Sequence, residues 1–205
     1  MSRASRFALG ALATLPLLLG ACTTTSDGPP VQEYLDPQTA MTIRVVAEPF
    51  VYARDVPELA ANMRDYLYVG AVELNNMGSR RHFWALISWS TIDRKRAGLS
   101  LPPLPDKLEL QLTTATREYP LTTHEPRSIG AGEPVLQPPA GYLGDSWFLT
   151  TPADLRAFAA SPPASIDVMV DGVRQTYTLW KRADAPLAAF IEDIPNNLKP
   201  TVGHR

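Results

Sequence analysis

The sequence predicts a mostly β protein, an antiparallel β-sandwich with a few short helices. Short segments of alternating apolar and polar residues recur along the chain, turn signals separate them, and helix-start signals are few. Twenty prolines in 205 residues cluster between these segments and indicate loops. An immunoglobulin-like strand arrangement is one form that such a sandwich takes.

The first half of the chain is predicted to contain three strands, of which the second and third form a hairpin. Residues Thr42–Val51 are rich in β-branched and aromatic side chains, and Asp65–Leu74 alternates. His82–Ile92 is apolar on both faces, which is typical of a central strand covered on both sides. The segment Asn75–Ser79 between the last two strands has the composition of a turn and predicts that they pair.

The second half of the chain continues the pattern. Lys107–Thr113 alternates cleanly, and Glu118–Thr122 contains a proline that confines it to a sheet edge. Gly144-Asp145 is interpreted as a turn into a strand. Asp171-Gly172 is a strong two-residue hairpin signal between Ser165–Val170 and Val173–Trp180.

Three segments carry helical signals. Asp55-Val56-Pro57-Glu58 predicts a short helix through Met63. Thr151-Pro152-Ala153-Asp154 predicts a helix to Ala160, because it offers a capping threonine, a proline in the first turn and an acid after it. Pro186–Ile194 is predicted to form a last short helix.

The N-terminal segment has the layout of a secretory signal. Two arginines precede an apolar stretch from Phe7 to Leu19, which as a helix would be about 20 Å long and too short for a bilayer core of about 30 Å. The tetrad Leu19-Gly20-Ala21-Cys22 resembles the lipobox of bacterial lipoproteins. The resemblance implies that residues 1–21 are removed and that Cys22, the only cysteine, is lipidated (palmitate on the new amino group and a diacylglyceryl thioether).

The same resemblance implies a location. In Gram-negative lipoproteins an aspartate after the cysteine favours inner-membrane retention, and here Thr23 follows Cys22, so an outer-membrane, periplasm-facing anchor is expected. A Gram-positive source would place the same lipid in the plasma membrane. Polar residues 22–40 are expected to form a flexible tether, residues 41–198 a single domain, and residues 199–205 a flexible tail.

The net charge and the absence of certain motifs limit which classes of partner and cofactor the sequence predicts. Without Arg3 and Arg6 the processed chain has 17 basic and 21 acidic side chains, a net charge near −4, which argues against a nucleic-acid partner. The chain has no nucleotide-binding glycine motif and no metal-ligand spacing among its histidines, so no cofactor is predicted.

A hydrolase remains an alternative. Gly144-Asp145-Ser146 resembles the Gly-Asp-Ser nucleophile block of some lipases and esterases, but it lies late in the chain and in a β context. An enzyme acting on envelope lipid or glycan would combine Ser146, Ser88 or Ser90 with His82 or His124, and His204 lies near the C-terminus.

The candidate partner surface combines basic and aromatic residues. Arg80 and Arg81 start the central strand, and Arg94-Lys95-Arg96 follows it. As solvated strand ends, these charges would oppose aggregation; as a binding site, either cluster would hold an anionic envelope group. Four aromatic residues are expected either in the core or on a partly open face that stacks on sugar rings or a partner: Tyr66, Tyr68, Trp84 and Trp180.

These observations favour a non-enzymatic lipoprotein. The expected role is binding or scaffolding of another envelope component, either a protein or a glycan, by a domain anchored through lipid. A hydrolase and an accessory lipoprotein of a secretion or assembly complex are the two alternatives. The candidate site residues are Cys22 for lipidation and Arg80, Arg81, Tyr66, Tyr68 and Trp84 for the partner surface.

Overall fold

The computed structural model describes residues 28–57, 62–92, 98, 104–122, 135–137 and 139–195. The signal stretch, Cys22, the basic cluster at 94–96, His124, His204 and the expected tail lie outside these ranges.

Within the described ranges the chain forms ten strands and two helices. They are β1 (Val31–Leu35), β2 (Thr42–Val46), β3 (Phe50–Asp55), β4 (Arg64–Asn76), β5 (Ser79–Ser90), β6 (Lys107–Gln111), β7 (Thr116–Pro120), β8 (Gly144–Thr150), α1 (Pro152–Ala160), β9 (Ser165–Val170), β10 (Val173–Lys181) and α2 (Asp184–Glu192). The strand pairs are antiparallel, which confirms the predicted mostly β, antiparallel fold with short helices. Neither helix in the described part is long and apolar enough to cross a bilayer.

The hairpin of β4 and β5 is the centre of the sheet. Its turn has positive φ angles at both central residues, 49° at Met77 and 92° at Gly78, as the right-handed twist of a two-residue hairpin requires. The register runs from Asn76 opposite Ser79 to Asp65 opposite Ser90. Because β5 also pairs with β8 along its other edge, the prediction of a central strand is confirmed.

The rest of the sheet extends from the free edge of β4. Strands β2 and β3 pair one after the other with this edge, and the order continues β3-β10-β9-β6-β7. The sheet curls far enough for Leu121, just after β7, to form a bridge with Phe148 of β8. The predicted edge position of the Pro120 strand and the Asp171-Gly172 hairpin are both confirmed.

A single core fills the curled, sandwich-like sheet, and both helices pack against it. The hydroxyl of Thr151 accepts a hydrogen bond from the Asp154 amide at 3.1 Å, which caps α1 as predicted. Phe158 of α1 contacts Phe50 and Trp84 at ring-centroid distances of 5.1 and 4.8 Å. Helix α2 begins two residues before its predicted start.

The structure corrects the expected tether. The strand β1 lies inside residues 22–40 and pairs along its whole length with β2, from Val31 opposite Val46 to Leu35 opposite Thr42. Four of its five residues are exposed, because β1 is an edge strand, so its polar composition resembles that of a linker.

Three further predictions change. The strand predicted at residues 42–51 is divided by a break at Ala47-Glu48-Pro49 and extends to Asp55. The helix predicted from Asp55 is wrong at its start, because Asp55 pairs with Arg64 and the Val56 amide donates to the Met63 carbonyl; residues 58–61 lie outside the described ranges. An immunoglobulin fold has two separate sheets, whereas the ten described strands form one.

Candidate functional site: an aromatic groove

An open groove of about 560 Å³ lies on one face of the sheet. Its lining residues, which we call the aromatic groove, are Glu48, Pro49, Val51, Tyr66, Tyr68, Trp89, Trp180 and Lys181. They come from β3, the break before it, β4, β5 and β10. The four aromatic rings give the groove a largely apolar floor.

Sheet register brings the rings together. Tyr66 lies directly opposite Trp89 in the β4–β5 hairpin, and their ring centroids are 5.3 Å apart. Trp180 meets Tyr66 edge-on, with a centroid distance of 6.2 Å and an interplanar angle of 78°. Tyr66 therefore lies between two tryptophans on the same face of the sheet: Trp89 comes from β5 on one side of β4, and Trp180 comes from β10 beyond β3 on the other.

A β-bulge displaces Trp180 from the regular pairing of β10. Leu179 and Lys181 lie opposite the consecutive residues Tyr52 and Val51 of β3, so Trp180 is the extra residue. Bulges redirect side chains and are common beside functional sites. Here the bulge leaves Trp180 61% exposed.

Neighbouring groups hold both tryptophans in place. The Trp89 indole Nε1 donates to the Ala140 carbonyl at 3.1 Å. The Arg64 guanidinium lies over the Trp180 ring, 4.7 Å from its centroid, and Arg64 Nε donates to Asp55 Oδ1 at 2.7 Å. A cation held over an aromatic face is attracted by the negative charge of the ring's π face. The Trp180 ring is thus supported without a ligand.

The charged groups of the groove neutralise each other. Lys181 Nζ lies 3.0 Å from Glu48 Oε2. Burial, and to a smaller extent the neighbouring Tyr66, raises the pKa of Tyr68, so its hydroxyl stays protonated at neutral pH. The groove consequently presents a carboxylate, an ammonium group and phenol hydroxyls around an apolar floor.

The structure divides the predicted partner surface. Tyr66 and Tyr68 lie in the aromatic groove, but Trp84 is 1% exposed and belongs to the core on the opposite face, where it pairs with Ala71. Arg80 and Arg81 pair with Asn75 and Leu74 at the hairpin end of the same strands. Nine residues separate Arg80 from Trp89, about 30 Å along β5, so the arginines do not join the groove.

Trp89 is absent from the predicted partner surface, although the sequence contains a signal that places it beside Tyr66. The two-residue turn at Met77-Gly78 pairs Asn76 with Ser79, and counting outward from that pair places Trp89 opposite Tyr66. Alternation along β5 alone does not say which of its faces continues the face of Tyr66.

A second polar cluster lies inside the sheet around Glu73, whose side chain is 1% exposed. His82 Nε2 is 3.0 Å from Glu73 Oε2, and the guanidinium groups of Arg44 and Arg80 each lie 3.6 Å from its carboxylate. Burial alone would raise the pKa of Glu73, but the His82 hydrogen bond and the charges of His82, Arg80 and Arg44 outweigh it and lower the pKa. Arg44 also reaches Asp193 at 2.7 Å.

The serine candidates lie far from His82. His82 faces Thr150 across β5 and β8, and Ser146 is four residues further along β8, about 13 Å away. Ser88 and Ser90 are six and eight residues from His82 on the same strand, about 20 and 26 Å. Ser146 is buried in mid-strand rather than on an exposed turn. His82 is therefore not a catalytic base for any of the three serines.

In the described part of the chain, no three His, Cys, Asp or Glu side chains gather as metal ligands would. Comparisons with protein-family models, curated proteins and solved structures found no match.

Proposed function

We propose that this chain is a non-enzymatic binding lipoprotein of the bacterial envelope, anchored through Cys22, and that the aromatic groove is its binding surface. The lipobox-like tetrad supports the anchor. The aromatic groove supports the binding role, and it is the observation on which the proposal depends.

Trp180 is exposed and the neighbouring rings of Tyr66, Tyr68 and Trp89 are half-buried. A contiguous, partly exposed aromatic cluster needs an explanation that scattered apolar residues do not. Tyrosine and tryptophan are the residues most enriched at binding hot spots, because they offer large rigid surfaces with few rotatable bonds. Tyr66, Trp89 and Trp180 form one such surface, and Trp180 reaches it through the β-bulge.

The contacts that hold the groove also favour binding. Ordering side chains on association costs about 0.5–1.5 kcal/mol for each rotamer-rich group. The contacts of Trp180 with Arg64 and Tyr66, and of Trp89 with Ala140, restrict the rings before a ligand arrives. The rings are therefore already ordered in the folded protein, so binding of a ligand loses little further side-chain entropy.

The anchor and the domain are closer together than the sequence suggested. Strand β1 begins at Val31, nine residues along the chain from Cys22, so the two lie at most about 32 Å apart. With Cys22 acylated, the edge strand β1 would stay near the lipid surface. The ligand would then be an envelope component within reach of that surface.

Metabolic labelling tests the anchor. Cells expressing the full chain should incorporate radiolabelled palmitate into it, and Cys22→Ser should abolish the label and release the protein from the membrane fraction. Two or more acyl chains hold a protein firmly, since each buried methylene contributes about 0.8 kcal/mol. A Cys22→Ser protein that remains membrane-bound and labelled would contradict the anchor.

Site-specific photo-crosslinking tests the groove. A photoreactive amino acid would replace Lys181, which lines the groove, or Val173, which lies on the same strand; their exposures of 59% and 61% are matched. In intact cells we expect a discrete adduct at position 181, none at 173, and loss of the adduct when Trp180→Ala is added. Equal adducts at both positions, or an adduct that survives Trp180→Ala, would contradict the proposed binding surface.

A further inference from the structure

The aromatic groove combines flat apolar surface with hydrogen-bonding groups at its edge. Tyr66, Trp89 and Trp180 provide the rings, and Glu48 and Lys181 provide an acceptor and a donor. A sugar ring has the matching character, since its C–H faces are apolar and its rim carries hydroxyls. Aromatic side chains and a few placed polar groups are the usual components of a small-ligand site.

We propose that the aromatic groove binds a neutral saccharide chain of the kind that forms the glycan strands of peptidoglycan. This inference rests on the proposed function, in which the groove is the binding surface. One pyranose ring would stack on Trp180, and the hydroxyl and acetamide groups at its rim would bond to Glu48 and Lys181.

Charge separates this ligand from other envelope components. Glu48 and Lys181 are the only formally charged groups among the groove residues, and they form an ion pair, so the lining has no net charge. Arg64, whose guanidinium lies over one face of the Trp180 ring, is likewise paired with Asp55. Among the described residues, a phosphate-rich ligand such as lipopolysaccharide would find no uncompensated cation in the groove, whereas a neutral glycan backbone needs none.

Dimensions agree with a short stretch of sugar rings. The volume of about 560 Å³ lies within the range of about 300–1,000 Å³ typical of small-ligand sites. The groove is open to solvent rather than enclosed, so a ligand longer than the groove need not fit inside it completely. That shape suits a polymer better than a small metabolite, which would leave much of its surface exposed to water.

Binding measurements on the purified full chain in detergent test the inference. The probes are a soluble β-1,4-linked N-acetylglucosamine tetramer, followed by intrinsic tryptophan fluorescence, and insoluble peptidoglycan sacculi, followed by cosedimentation. We expect saturable binding of both, with a Kd for the tetramer that changes little with salt. Trp180→Ala should raise that Kd about tenfold or more, as loss of a binding hot spot does.

Two variants keep the result interpretable. Val173→Ala truncates an equally exposed apolar residue on the same strand and should bind like the wild type. Trp180→Phe retains a ring and should recover part of the lost affinity. Retention of the thermal midpoint by Trp180→Ala would show that a lost affinity does not reflect unfolding.

The outcomes separate the ligand class from the binding surface. Absence of tetramer and sacculus binding, together with a Trp180-dependent protein adduct at position 181 in cells, would overturn the glycan inference and leave the proposed function standing. Binding to lipopolysaccharide in place of sacculi would also overturn it. Absence of both binding and adduct would overturn the two proposals together.

Discussion

Glu73 shows what a buried charge requires of its neighbours. Removing a carboxylate from water costs several kcal/mol, and the attraction of a partner repays this only when the geometry is good. Glu73 receives a histidine hydrogen bond at 3.0 Å and two guanidinium groups at 3.6 Å, and Arg44 in turn pairs with Asp193. Glu73 and Arg44 are therefore each compensated by more than one partner.

Substitution of Glu73 should destabilise the fold strongly. Glu73→Gln removes the charge that compensates Arg44, whose side chain is 8% exposed, and should lower the free energy of unfolding by about 3 kcal/mol. The value lies at the low end of the range for a broken buried pair because Arg44 keeps Asp193. Urea denaturation measures the change.

Glu33→Gln is the matched control. Glu33 also contacts Arg44, at 3.6 Å, but its side chain is 60% exposed. Its loss should cost less than about 0.5 kcal/mol, because exposed ion pairs are screened by water. Equal losses for the two variants would show that burial of Glu73 does not determine its contribution.

The lowered pKa of Glu73 gives the cluster a pH dependence. The unfolded chain binds a proton to this carboxylate near pH 4.3, whereas the folded chain does so only at a lower pH. The stabilisation is therefore complete above about pH 5 and is lost as the pH falls through the unfolded and then the folded pKa. Denaturation between about pH 6 and 3 should give a shallower slope for Glu73→Gln than for the wild type. Identical slopes would contradict the assignment.

At the scale of elements, the β4–β5 hairpin determines which residues form the groove. Its two-residue turn sets the register, and a shift of one residue would move Trp89 to the opposite face from Tyr66. The turn sequence is unusual, since Met77 is a fully exposed apolar residue at φ 49°. Asp171-Gly172, the other two-residue turn, places aspartate at the equivalent position with φ 51°.

Met77→Asn should therefore stabilise the protein. Asparagine tolerates positive φ far better than methionine, and Asn-Gly is the preferred sequence for this turn, so we expect a gain of about 0.5–1 kcal/mol. Met77→Val should lose stability, because a β-branched side chain fits this conformation poorly. Both changes are read from urea midpoints, and a loss for Met77→Asn would indicate that the side chain makes a stabilising contact.

Elements with local signals were predicted well. The two hairpin turns, the Thr151 cap and the doubly covered β5 each follow from a few adjacent residues, and the structure confirms them. The prediction of a flexible tether was wrong for the residues of β1. An edge strand need not alternate apolar and polar residues, and β1 becomes a strand by pairing with β2. The helix from Asp55 was wrong because pairing of β3 with β4 overrides a local start signal.

At the scale of the whole molecule, the groove depends on contacts between residues far apart in sequence, which local sequence patterns do not predict. Trp180 joins Tyr66 only because β10, more than a hundred residues away in sequence, lies beside β3. Sequence alternation placed Tyr66 and Tyr68 on one face, but it could not tell that Trp84 would face the core. Tyr66 and Tyr68, two of the four rings of the groove, could thus be foreseen from β4, and Trp180 was named for a partly open face; that these rings meet required the sheet order.

The polar cluster around Glu73 and the aromatic groove lie at different positions along the same pair of strands, β4 and β5. Glu73 lies seven residues along β4 from Tyr66, a distance of about 23 Å. The Glu73 cluster is buried, whereas the aromatic groove is open to solvent. We therefore propose a stabilising role for the cluster and a binding role for the groove.

Hydroxyl-radical footprinting in intact cells examines occupancy of the groove without assuming a ligand. Trp180 and Met77 are both exposed and both readily oxidised; Met77 lies at the turn of the β4–β5 hairpin, and Trp180 contacts Tyr66 near the hairpin's other end. We predict that Trp180 is oxidised several times more slowly in cells than in the purified chain, relative to Met77. An unchanged ratio of the two oxidation rates would contradict the claim that the aromatic groove is a binding surface.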